Sequence, residues 1–215
     1  MSDTTPAAPP PVPPPAPSTG GFGAPAGYPV NLELERGYDV QNWRPLVNWL
    51  LAIPQVIVLW VLELVAFVLW VISFFAVLFT KKNPFVAFQT MVFRYYWRVN
   101  SFIAFMRNEY PPFDFATEPG AGVSDPAVVT IEDPGEMNRW LPLVKWLLAI
   151  PHLIVLYFLG IAVFFVGIVA FFAVLFTGKW PEGLRDFVVG FARWYARVYA
   201  YLFFLTDAYP PFSLH

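Results

Sequence analysis

The chain has 215 residues, 58% of them hydrophobic, 20% aromatic and only 13% charged, against about 25% charged in an ordinary soluble domain. Thirteen basic and fifteen acidic residues leave a net charge of −2, which excludes nucleic-acid binding by bulk charge. The lack of cysteine excludes disulfides and thiol chemistry, and a mean hydropathy of +0.55 in a chain with a proline-rich start points away from a soluble globular domain.

Residues 1–35 read as a disordered tail. The stretch PPPVPPPAPSTGGFGAP is too poor in large apolar side chains to offset the entropy of ordering, so polyproline-II character is expected there. It has neither the basic start nor the apolar centre of a secretory signal. The expected role is a solubilising tether, with a docking segment for a cytosolic, proline-recognising partner as the alternative.

The rest of the chain is a duplication. Residues 45–54 read PLVNWLLAIP and residues 142–151 read PLVKWLLAIP; residues 74–80 and 171–177 both read FFAVLFT. Each copy then turns at a short basic-and-proline punctuation, TKKNP ending at Pro84 and TGKWP ending at Pro181. Arg94, Arg98 and Val99 match Arg193, Arg197 and Val198, and both copies close on YPPF. The first membrane repeat is therefore expected at 36–113, an acidic linker with a short strand near 128–131 at 114–137, and the second repeat at 138–215.

Residues 45–80 contain one charge, Glu63, and residues 147–177 contain none. Apolar runs of this length are the signature of a membrane helix. Each is longer than a bilayer core, so a break is expected at Pro54 and Pro151, after an interfacial lead-in helix anchored by tryptophan. Residues 85–107 and 183–205 read as amphipathic helices in which Arg94 and Arg98, or Arg193 and Arg197, share one face. A guanidinium on so apolar a helix needs an anion, and the four arginines are expected to hold lipid headgroups or a carboxylate of a partner. Glu63 is a carboxylate inside a membrane run, read as a proton or ion path or, alternatively, as a structural pair to Arg94 or Arg98 or a partly exposed residue; Gly160 replaces it in the second copy.

The fold class that follows is all-α: two tandem helical hairpins in a membrane, each a long apolar helix followed by an Arg-bearing helix. The matching basic residues of the two copies argue against an inverted repeat, so both termini and the linker are expected on one side, the cytoplasmic one. In a second arrangement the long runs re-enter and the Arg helices lie on the surface.

The series W-x-P-L-V-x-W-L-L-A-I-P, F-F-A-V-L-F-T-[GK]-K-x-P, R-x-x-x-R-V and YPPF resembles the domain-of-unknown-function 4389 family, of actinobacterial type. The resemblance covers residues 43–113 and 140–212. It implies a tandem integral membrane domain in the bacterial cell membrane, multi-pass, and brings no catalytic residue, cofactor or substrate.

No phosphate loop, dinucleotide fingerprint or zinc-protease motif is present. His152 reads as an interfacial polar residue and the linker carboxylates as solvated, so no metal site, cofactor or enzymatic activity is expected. The function read from the sequence is a non-enzymatic scaffold or accessory subunit that meets membrane lipids and a membrane-protein partner or second copy, with no nucleic acid. The alternative is a small transporter or channel built from a parallel repeat.

Overall fold

The structure, a computed structural model, describes residues 27–35, 37–117 and 122–214. The elements are β1 (Val30–Leu34), α1 (Arg44–Leu51), α2 (Ile53–Thr80), α3 (Val86–Ile103), β2 (Ala127–Ile131), α4 (Leu141–Thr177) and α5 (Glu182–Leu202). Most of the expected tail lies outside the described residues, but its last part is structured: β1 falls within 1–35. The expectation of a purely helical chain is corrected accordingly, because β1 and β2 pair into an antiparallel ribbon. The strand anticipated near 128–131 is β2.

Each repeat is a helical hairpin. Leu59 of α2 packs on Tyr95 and Val99 of α3, and Ala66 packs on Met91 and Val92, so the two helices run antiparallel. In the second copy Leu156 of α4 packs on Trp194 and Val198 of α5. Only one narrow seam of α2 is covered, through Gln55, Leu59, Ala66, Ser73 and Val77, at intervals of roughly one or two turns that keep one face inward.

The proline break takes different forms in the two copies. In the first, α1 stops at Leu51 and α2 restarts at Ile53, with Pro54 in its first turn, where a missing N–H costs nothing. In the second, α4 runs straight through Pro151 for 37 residues. The expected second lead-in helix therefore does not separate from the long helix.

Three layers result. The apolar α2 and α4 form one face, α3 and α5 the middle, and the ribbon the other face. Val30, Leu32, Leu34, Ala127 and Val129 alternate inward into the central cluster, joined there by Ala196 and Ala200 of α5. Ala196 and Ala200 thus lie with the ribbon residues, while Trp194 and Val198 pack on Leu156 of the long helix.

The layers share a pseudo-twofold axis. Leu32 pairs with Val129 at the ribbon centre, and these two positions are 97 apart, the offset that relates the two copies. Paired hydrogen bonds repeat the symmetry: Val40 N–H donates to Gly178 O and Met137 N–H to Lys81 O, each at 2.8 Å. Trp180 Nε1 donates to Phe105 O at 2.9 Å and Asn83 Nδ2 to Phe204 O at 3.0 Å. All of these bonds cross from one copy to the other, so each repeat lends its N-terminal arm to its twin.

Candidate functional site

The four arginines singled out by the sequence lie where this exchange takes place. Arg193 Nε donates to Leu32 O at 3.0 Å, and Arg94 Nε to Val129 O at 3.4 Å. The two equivalent arginines thus reach the two central carbonyls of the ribbon, each on the strand of the opposite arm. Arg94 also donates to Ala116 O at 3.2 Å. Arg98 pairs with Asp114 at 2.9 Å and lies 3.8 Å from Asp125, which Arg107 grips with both nitrogens at 2.6 and 2.8 Å. Arg197 donates to Ser213 O at 3.1 Å and its guanidinium lies 5.8 Å from the centre of the Tyr28 ring.

A buried guanidinium must find acceptors, and here the chain supplies them. The carboxylates and carbonyls come from the segments that follow each Arg helix and from the opposite arm. Each of the four arginines already donates to at least one acceptor within the chain. Burial pushes the Asp114 carboxyl up, but its hydrogen bonds from Arg98 and from the Ala116 and Val123 N–H groups outweigh that and hold it below its ordinary range.

A second set of contacts ties each Arg helix to its long helix. Tyr95 donates its hydroxyl to Gln55, which in turn donates to Pro111 O at 2.8 Å. The equivalent pair in the second copy is Trp194 Nε1 donating to His152 Nδ1 at 3.1 Å, with Phe212 of the second YPPF stacked on the imidazole at 3.9 Å. His152 is an internal acceptor, not the interfacial polar residue expected from its place after proline. Lys145, the residue that replaces Asn48, donates to Thr206 O at 2.6 Å and pairs with Asp207 at 2.9 Å.

Glu63 does not pair with Arg94 or Arg98, which corrects that expectation. The two arginines sit on the ribbon side of α3, whereas α2 packs on the Met91–Val92–Tyr95–Val99 side. Instead Glu63 lines a cavity of about 300 Å³ together with Tyr96, Tyr195 and Tyr199, beside Phe93 and Phe203. Phe93 stacks on Tyr199 at 4.4 Å and Tyr96 on Tyr195 at 6.3 Å, so the Arg helices meet through a ladder of rings at the pseudo-twofold. A larger cavity of about 700 Å³ runs along β2 and is lined by Arg94, Arg98, Asp125 and Asp133 among others, both signs of charge together. Among the described residues no group of three or more histidines, aspartates or glutamates is placed to hold a metal ion.

The cross-copy contacts were not visible in the sequence. The one signal available was a pair of apolar alternations 97 positions apart, VNLEL and AVVTI, of which only the second was read as a strand.

The family profile described as "Domain of unknown function (DUF4389)" matches residues 42–114 and 140–213, and the chain belongs to that family, in two tandem copies. A search of curated proteins found no match, and neither did a search of solved structures. Two helices, Ile53–Thr80 and Leu141–Thr177, are long and apolar enough to cross a membrane.

Proposed function

We propose that the protein is a non-enzymatic, membrane-embedded scaffold. Its α2–α4 layer sits among lipid tails, and its ribbon layer forms a rigid platform in water for a partner protein, with the proline-rich tail recruiting a second, cytosolic one. The observation that carries this reading is the breadth of bare apolar surface on the long helices. Trp60, Leu64, Phe79, Phe164, Phe165 and Phe176 are between 61% and 77% exposed, and soluble monomers rarely show contiguous apolar patches beyond a few hundred Å². Anionic headgroups are assigned to the cations at the helix ends rather than to Arg94, Arg98, Arg193 and Arg197, each of which already donates within the chain.

The test is fractionation of cells expressing the full chain, followed by alkaline carbonate and then detergent extraction. Retention in the carbonate-washed membrane and release by detergent are expected; release by carbonate or high salt would end the reading.

The cavity at Glu63 favours a second reading, a small transporter or channel with its site on the pseudo-twofold. It requires solute flux in vesicles that Glu63→Gln abolishes.

A further inference from the structure

The long helices run antiparallel to one another. The Lys145 Nζ near the start of α4 lies 5.5 Å from the centre of the Phe204 ring, and Phe204 also packs against Val77 and Phe74 near the end of α2. At the other end of the molecule, Asn48 just before α2 donates to Phe102 O, while Phe105 meets Phe171 and Trp180 at the end of α4. α3 and α5 are antiparallel too, since Phe93 faces Tyr199 and Tyr96 faces Tyr195. The pseudo-twofold is therefore perpendicular to all four helices.

A membrane can take such a slab in two ways. If α2 and α4 cross the bilayer, the axis lies in the membrane plane and the ribbon centre sits at mid-depth. Arg94 and Arg193 would be held there with the exposed Glu33 and Thr130, at about 2.5–3.5 kcal/mol per charged residue on insertion scales. The two open edges of the ribbon would stand in hydrocarbon, where strand edges are not tolerated. The lengths disagree as well: at about 1.5 Å per residue the charge-free run 147–177 is about 46 Å long, and fitting it into a core of about 30 Å needs a tilt of about 50°, beyond the observed range. Finally, the basic turns at Lys81–Lys82 and at Lys179 would fall on opposite sides of the membrane.

We propose instead that the axis lies along the membrane normal, with α2 and α4 parallel to the bilayer plane and sunk into one leaflet. This rests on the membrane-embedded reading above and adds the orientation. The whole of the bare α2–α4 face then meets acyl chains, and every charge of the ribbon and of the Arg helices stays on the aqueous side. Trp43, Trp49, Trp140 and Trp146, between 46% and 65% exposed, mark the ends of the slab at headgroup level. Because the helices are antiparallel, each end carries cations: Lys81, Lys82 and Arg139 at one, Arg44 and Lys179 at the other. That rim is complementary to an anionic leaflet.

The experiment uses the absence of native cysteine. Ile57→Cys, Leu64→Cys and Val71→Cys lie seven residues apart on the bare side of α2, at 61%, 64% and 40% exposure. Each full-length variant is spin-labelled and reconstituted into vesicles of phosphatidylethanolamine and phosphatidylglycerol, and label depth is read from relaxation by oxygen against aqueous nickel. The in-plane slab places the three labels at one depth, all in hydrocarbon. Depths stepping by about 10 Å between neighbours, as a crossing helix requires, overturn the orientation but leave the membrane reading standing. Three labels open to nickel overturn both.

Discussion

Arg193 reaches across the repeat boundary to the carbonyl of Leu32, and Arg94 makes the same contact to Val129. Leu32 and Val129 are themselves ribbon partners. A single pairing thus closes the molecule: each arm is held by its neighbour's strand and by its neighbour's arginine. The fork of a guanidinium suits such a position, because it can donate to a carbonyl while its other nitrogens serve further acceptors.

Replacing both residues by lysine, Arg94→Lys with Arg193→Lys, keeps the charge and removes the fork. Unfolding in detergent should show a loss of about 1.5–3 kcal/mol, the worth of hydrogen bonds from charged groups. Co-purifying anionic lipid should be unaltered. A stable double variant stripped of lipid would return these residues to the headgroup role first expected of them.

The depressed Asp114 carboxyl predicts a pH dependence of defined sign. Its folded-state value lies below its unfolded one, so its contribution is complete above the unfolded value of about 4 and is lost as pH falls through the folded value. Denaturant midpoints measured from pH 7 to pH 3 should fall less steeply at the acid end in Asp114→Asn than in the parent. Parallel curves would show that the Arg98 pair contributes nothing to acid lability.

The two copies end their long helices on a left-handed residue, Lys81 at φ 59° and Gly178 at φ 67°. A side chain pays about 1–2 kcal/mol in that region and glycine does not. Lys81→Gly should therefore leave stability equal or raised. The converse change, Gly178→Ala, should destabilise by more, because an added Cβ would sit 2.7 Å from Asn42 Oδ1 and 3.2 Å from Val40 O. Equal thermal midpoints for the two variants would contradict this.

Exchange of arms predicts that the halves do not need the linker to stay together. A protease site inserted after Thr117 and cut in the purified protein should leave both fragments co-eluting on size exclusion. β1 then still packs with α5, and β2 with α3. Separation of the fragments without denaturant would mean that the ribbon contributes little.

By itself the sequence determined the duplication, the two long apolar helices, the reversal at each basic turn and the family. These are local or strictly repeated signals: a run of side chains too apolar for water, a proline, a spacing of four residues between arginines. It also showed that the arginines needed acceptors, since a guanidinium on an aromatic helix cannot go unpaired. What it left open was which acceptors. Phosphate, a partner's carboxylate and the chain's own carbonyls all satisfy the same donor, and only the tertiary structure brings residues 161 positions apart, Arg193 and Leu32, into contact. The same holds for β1, a five-residue alternation next to a proline-rich stretch whose strand character depends on a partner 97 positions away. Pro54 and Pro151 likewise follow the same local sequence, LLAI, yet α2 opens at Ile53 after a separate α1 while α4 runs on through Pro151, a difference that a repeated local signal could not carry.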